Sequence, residues 1–196
     1  MEKGIIIKQL RPTIVLLFLF TIIFGLIYPG IVTLILQLSF PFQANGSLIQ
    51  QGDNIRGSEL LGQEFTDPKY FWSRPSAIDT PYDAAHSTGS NLSPANPTLL
   101  NNVKKRVDAL QKVDPTNTQP IPVDLVTSSA SGLDPHISLA AAVYQIHRVA
   151  WARNTDEKII FDLVKSSVEF RQFKLLGEPR INVVKLNLKL DQMSQP

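Results

Sequence analysis

Between residues 128 and 136 the chain reads Ser128-Ser129-Ala130-Ser131-Gly132-Leu133-Asp134-Pro135-His136, and here its chemistry-bearing side chains crowd together. A Ser/Gly-rich turn that feeds a helix N-terminus gathers unpaired backbone N–H groups and favours anions. Ser129, Ser131, Gly132, Asp134 and His136 are therefore candidates for contact with a phosphate group or with a partner's polar surface. The same residues also have a purely structural account. Asp134 would cap the helix, the serines would satisfy loop backbone, and His136 would sit in the first helical turn.

Other chemistries fit less well. Ser, Asp and His are all present, but no Gly-x-Ser-x-Gly elbow exists, and residues this close in sequence rarely form a triad. His136 and His147 would lie about three helical turns apart, too far to share one ion, and there is no His-Glu-x-x-His pattern. No catalytic residue and no metal ligand is assigned. No Walker A phosphate loop is present, and the absence of cysteine excludes thiol nucleophiles, disulfides and iron–sulfur ligation.

The elements that would position the cluster are readable in outline. Asp134-Pro135 pairs a cap with proline at the first helical position and predicts a helix to about Ala152. Ile137, Ala140, Ala141, Tyr144, His147 and Trp151 would form its apolar face. Asn96-Pro97 opens another helix, with Leu100, Val103, Val107 and Leu110 inward and Lys104, Lys105 and Arg106 mainly solvated. Val123–Val126 suggests a short strand leading into the serine-rich turn. Asn154 with Glu157 resembles a capping box before a third helix to about Phe170, carrying Ile160, Leu163, Val164 and Val168. Val184, Leu186, Leu188 and Leu190 alternate with polar residues and predict a closing strand. Gly57–Phe65 reads as a short strand or a turn-rich segment. Tyr70-Phe71-Trp72 forms an aromatic cluster, and Ile78–Pro97, dense in Pro, Ser, Asn and Gly, reads as a long ordered loop. The fold class is α/β (α+β).

A different kind of signal precedes all of this. From Pro12 to Gly52 the chain carries no charged residue, and from Ile14 to Leu38 it is almost wholly apolar, long enough to cross a bilayer as a helix. The expected organisation is a tail at 1–12, a transmembrane helix at 13–38 and the main domain at 39–196, with Gln43–Asp53 a linker. Lys3, Lys8 and Arg11 precede the span, whereas Asp53, Glu59, Glu64 and Asp67 follow it, so the tail is expected in the cytoplasm and the domain outside. The apolar run exceeds a signal-peptide core and Phe42-Gln43-Ala44 is a poor cleavage site, which favours an uncleaved anchor. Tyr28-Pro29-Gly30 predicts a kink, and Thr21 with Gly25 a strip where another helix can approach. The chain has 19 basic and 17 acidic residues; the first eleven hold three and one of these, leaving sixteen of each. The main domain is therefore neutral, with no nucleic-acid footprint.

The motifs resemble, in order and over almost the whole chain, the C subunit of the Kdp-type potassium-transporting ATPase. They are the Tyr28-Pro29 element, Gly57-Ser58, Gly62-Gln63-x-Phe65, and Tyr70-Phe71-Trp72-Ser73-Arg74-Pro75-Ser76-Ala77. Gly89-Ser90-Asn91-Leu92, Pro94-x-Asn96-Pro97 and Pro122-Val123-Asp124-Leu125-Val126-Thr127 follow. The series closes with Ser131-Gly132-Leu133-Asp134-Pro135-His136-Ile137-Ser138, Arg148-Val149-Ala150 and Gly177-Glu178-Pro179-Arg180-Ile181-Asn182-Val183. Leu139 stands where the family usually has proline, and Asn154 where it often has glycine.

The resemblance implies an accessory, non-catalytic subunit in the plasma (inner) membrane. Its partners would be a channel-like potassium-translocating subunit, a P-type ATPase subunit and a small fourth subunit, with potassium as the transported ion. The role proposed for the family is a catalytic chaperone that raises the ATPase subunit's affinity for ATP, a nucleotide shared between the two. The charge-based topology puts the domain on the other side from ATP. It favours an alternative role as an extracytoplasmic structural or gating cap, docking through the aromatic cluster and the Pro/Asn/Gly loop.

Overall fold

The computed structural model describes residues 2–193, and the side chains of residues 8–193. The outermost ends of the expected tail and main domain, Met1 and residues 194–196, lie outside the described residues. The chain divides into two compact units, Met1–Leu48 and Ile49–Pro196.

The first unit is a nearly continuous helix. Helix α1 (Glu2–Ile22) passes through a π-helical turn, Ile23–Ile27, into α2 (Tyr28–Ser39). The stretch Lys8–Ser39 is long and apolar enough to cross a membrane, and none of its most apolar part is buried. The π turn has a local cause. Pro29 has no N–H to donate, and its ring would clash with the carbonyl four residues back. Widening the preceding turn relieves the clash, and Tyr28 N–H donates to the Ile23 carbonyl. A short helix α3 (Pro41–Ala44) follows. The expected linker is partly ordered, because β1 (Leu48–Gln51) and β2 (Asn54–Ser58) form a two-stranded sheet around Gly52, where φ is +61°.

The second unit is built on a three-stranded antiparallel sheet, β3 (His136–Ser138), β5 (Arg180–Asn182) and β4 (Val168–Glu169), in that order. Ile137 pairs with Ile181, which pairs with Val168, and this row joins the hydrophobic core. Helices α4 (Pro97–Val113), α5 (Leu139–Arg153), α6 (Glu157–Ser166) and α7 (Val183–Met193) supply most of the remaining core: Leu110, Ala141, Val149, Ile160, Val164, Leu186 and Leu190. Asn96 caps α4 as expected, accepting from Thr98 N–H at 2.9 Å.

Several expectations are corrected. Asp134-Pro135 opens no helix: α5 starts at Leu139, capped by Ser138 Oγ accepting from Ala141 N–H at 3.0 Å. His136 sits on a strand because β5 offers it backbone partners. Val123–Leu125 is a 3₁₀ turn rather than a strand, entered from Pro122 and pinned by Asp124, which accepts from Ser138 N–H at 2.7 Å. The α6 cap is Asp156, accepting from Lys158 N–H at 2.8 Å, and the helix ends at Ser166 so that Val168 can join the sheet. Asn154 instead terminates α5 in the left-handed conformation (φ 50°), a position that suits Gly or Asn. The expected closing strand is helix α7. Val183, Leu186, Asn187 and Leu190 are buried at helical spacing, and the polar Asn187 on that face disguises the period. On α5 the buried face holds Gln145 and Arg148, while Trp151 is exposed.

The aromatic cluster is core, not a docking surface: Phe71 and Trp72 are buried. Their segment belongs to no strand, so side chains from two helices satisfy its backbone. Asn187 accepts from Phe71 N–H at 2.9 Å and donates to the Phe71 carbonyl at 3.0 Å. Gln145 accepts from Trp72 N–H at 2.7 Å and donates to the Trp72 carbonyl at 3.3 Å. Arg148 donates to the Tyr70 carbonyl at 3.0 Å and to Gln145 Oε1 at 2.6 Å, with its guanidinium 4.5 Å from the Trp72 ring centroid. Burial pushes that guanidinium down to about 10. Arg106 is not simply solvated: it donates to the Ser73 and Leu125 carbonyls.

Candidate functional site

The serine-rich turn folds onto itself. Ser129 Oγ accepts from Gly132 N–H at 2.9 Å, and Ser131 Oγ accepts from Leu133 N–H at 3.2 Å. The two hydroxyls are 3.5 Å apart. Asp134 Oδ1 accepts from His136 N–H at 3.0 Å, closing a turn of the kind aspartate favours. The long loop then packs over the turn. Ser76 Oγ donates to the Gly132 carbonyl, and Thr88 N–H to the Ser131 carbonyl. Gly132 has φ +69°, and a Cβ there would lie 2.7 Å from Ile78 Cγ1 and 3.0 Å from the Thr88 carbonyl oxygen. Only glycine suits both the conformation and the approach.

This geometry bears on the phosphate expectation. The Gly132, Leu133 and His136 N–H groups that could have cradled an anion already donate to side chains of the turn itself. No helix begins here to add a dipole, so the turn does not fit a phosphate cradle.

What the turn does present is a charge chain across one face of the sheet. Alternation along the strands turns Ile137, Ile181 and Val168 inward and leaves His136, Ser138, Arg180 and Glu169 on the other face. His136 Nδ1 lies 3.0 Å from Asp134 Oδ1, and Nε2 lies 3.5 Å from Glu169 Oε2. Arg74 Nη1 approaches Asp134 Oδ2 at 3.5 Å, and its Nη2 donates to the Ser128 carbonyl at 3.2 Å. Glu169 also meets Arg180 Nε at 3.3 Å and Lys185 Nζ at 3.6 Å, and Lys185 reaches Glu59 at 2.9 Å. Arg74, Asp134, His136, Glu169, Lys185 and Glu59 thus form one continuous chain of contacts. Burial disfavours ionisation of Asp134, but the hydrogen bonds from His136, the His136 charge and Arg74 outweigh it and hold the carboxyl below its ordinary range. Arg74 Nε is buried without a hydrogen-bond partner among the described residues.

Arg74, Asp134, His136 and Arg180 border a cavity of about 560 Å³ that also takes in Val123 and Pro179. Ser129 is buried and Ser131 half-buried, so these two hydroxyls shape the turn rather than line that cavity. Sequence reading missed Glu169 as a partner of His136, and Arg74 and Arg180 as the partners of Asp134 and Glu169. Arg74 and Arg180 fall inside the quoted motifs, but only the strand register places Arg180 beside Glu169. The other histidines stand apart. His86 Nδ1 lies 2.7 Å from Asp83 Oδ2 in the long loop, and His147 Nδ1 lies 2.9 Å from the buried Asp114. No group of three or more metal-ligating side chains forms among the described residues.

Among the described residues, one helix long and apolar enough to anchor a protein in a membrane is joined to a compact α+β unit whose most distinctive site is a chain of ion pairs bordering an open cavity. Comparison with known proteins gives the family. The model described as "K+-transporting ATPase, c chain" (KdpC) matches residues 10–192. The potassium-transporting ATPase KdpC subunit of Methylococcus capsulatus is 55% identical over 188 residues, covering 95% of this chain and 99% of that protein. Those of Herpetosiphon aurantiacus and Burkholderia orbicola are each 53% identical, covering 93% of this chain and 95% of theirs. The chain belongs to the KdpC family, and it is a subunit of the potassium-transporting ATPase complex.

Proposed function

We propose that this subunit is a non-catalytic extracytoplasmic cap, which stabilises the potassium-translocating subunit and biases its outer gate through the ledge formed by Asp134 and His136. The observation that carries this reading is the charge chain. It places an imidazole between two carboxylates at the border of an open cavity, on a rigid frame whose backbone donors are already used. Such a ledge suits a polar side chain from a partner, to which Asp134, His136 and Arg74 offer an acceptor and donors. Ser129, Ser131 and Gly132 contribute by fixing the turn. The excess of Lys and Arg before the span supports an outside location for the domain. The ATPase subunit and a small fourth subunit complete the proposed set of partners.

A second reading, in which the subunit raises the ATPase subunit's affinity for ATP, draws on the same cavity. Arg74, His136 and Arg180 place three cationic or protonatable groups around it, and these rather than the serine turn would meet a phosphate.

Potassium-stimulated ATP hydrolysis by the purified complex distinguishes the two, with Asp134→Asn and His136→Gln introduced together and ATP and potassium titrated separately. The cap reading expects the apparent potassium affinity to change about fivefold, the weight of one lost hydrogen bond of ~1 kcal/mol, with ATP affinity unchanged. A weaker ATP affinity with an intact potassium response would overturn it in favour of the second reading.

A further inference from the structure

Between β4 and β5 the chain projects a hairpin tip, 170–177, where Phe170, Phe173, Leu175 and Leu176 are 79%, 88%, 80% and 61% exposed. Together they expose on the order of 500 Å² of apolar surface, comparable with the largest patch on a typical monomer. The tip has a defined shape. Gln172 and Leu176 exchange backbone hydrogen bonds of 2.9 Å, and Lys174 N–H donates to the Arg171 carbonyl at 3.2 Å. Phe173 and Lys174 are both left-handed, with φ of 52° and 63°. Non-glycine residues in that region cost about 1–3 kcal/mol each, so the fold sustains strain while holding Phe173 out in solvent.

The charges indicate what covers it. Arg171 is neutralised by Glu178, which accepts from Nη2 at 2.7 and 2.6 Å. Lys174, which has no ion pair among the described residues, remains as the tip's uncompensated charge. One lysine adds only about 1 kcal/mol toward an anionic lipid surface, and a strained, preformed turn gains little from a fluid bilayer. A protein recess rewards both the fixed shape and the apolar payload. The base of the hairpin is also continuous with the ledge: Glu178 and Arg180 line both the 560 Å³ cavity and a 270 Å³ cavity under Phe170 and Leu176.

We propose that the β4–β5 hairpin is a docking knob, which inserts into an apolar recess on another subunit of the ATPase, with a carboxylate or carbonyl there receiving Lys174. This rests on membership of the complex and not on the side of the membrane or the role of the ledge, so it can fail while the potassium titration succeeds, and the reverse.

The test places the photoreactive residue p-benzoylphenylalanine at position 173 of the full chain, and at the exposed position 105 of α4 as a reference. Irradiation in native membranes precedes purification and mass spectrometry of the adducts. The expected result is an adduct between position 173 and another subunit, about tenfold above that from position 105 and abolished by adding Leu175→Asp. An adduct only with lipid, one only with a second copy of this chain, or no protein adduct at position 173 would each overturn the proposal.

Discussion

Asp134 receives the side-chain and backbone hydrogen bonds of His136 and faces Arg74, and this company outweighs the burial that opposes its charge. The sign of the pH effect follows. A carboxyl held below its unfolded value of about 3.9 contributes stability that is fully present above that pH and is lost as pH falls through the native value. The variant Asp134→Asn lacks this contribution at every pH. Thermal melts of the full chain in detergent are therefore expected to show a gap between the two proteins that is constant near neutrality, narrows below about pH 4, and closes in stronger acid. A gap that stays constant down to pH 2 would remove the electrostatic account. At this scale the candidate site was half legible. The spacing of Ser129, Ser131, Gly132, Asp134 and His136 marks the turn, because these residues bond within it. The remote members were not legible, because Arg74 reaches Asp134 only through the loop path and Glu169 reaches His136 only through the strand register.

At the scale of elements, the cap of α4 was legible from its sequence neighbours, whereas that of α5 was lost to a remote strand and that of α6 to the adjacent Asp156. Asn96 caps α4 as read. Asp134-Pro135 carries the same signal, yet β5 captures His136–Ser138 as a strand and moves the helix start to Leu139. This makes position 139 the first residue of α5, where a backbone N–H has no helical partner and proline is favoured. Ser138, at φ −68° and ψ 159°, already holds the conformation that a following proline demands. Leu139→Pro is therefore expected to shift stability by less than about 1 kcal/mol, and toward greater stability if at all. A loss above about 3 kcal/mol, the cost of proline inside a helix, would place the helix start elsewhere. The misreading of α7 has a similar origin. Asn187 occupies a buried helical position because Phe71 needs an amide partner, and without that remote need the pattern reads as alternation.

For the whole molecule, the most legible feature was a helix long and apolar enough to cross a membrane, since length and apolarity alone define it. The proposed sidedness rests on charges flanking the span and has a direct check. The chain contains no cysteine, so Lys105→Cys, on the exposed surface of α4, creates the one thiol of this chain. A membrane-impermeant maleimide applied to intact cells is expected to label it in the assembled complex. Labelling only after the membrane is breached would put the unit in the cytoplasm and revive a nucleotide role.

The clamp on Phe71 and Trp72 also governs how this unit comes into being. Phe71 obtains its backbone partners from a residue 116 positions later, and Trp72 from one 73 positions later. Until α5 and α7 have both been made and docked, this buried stretch of backbone has nowhere to place its polar groups. Early collapse around it is unfavourable, and long-range closure of this sort slows folding. The unit is thus built to acquire its core late and in one cooperative step, so a chain interrupted before α7 has no stable intermediate in which to rest.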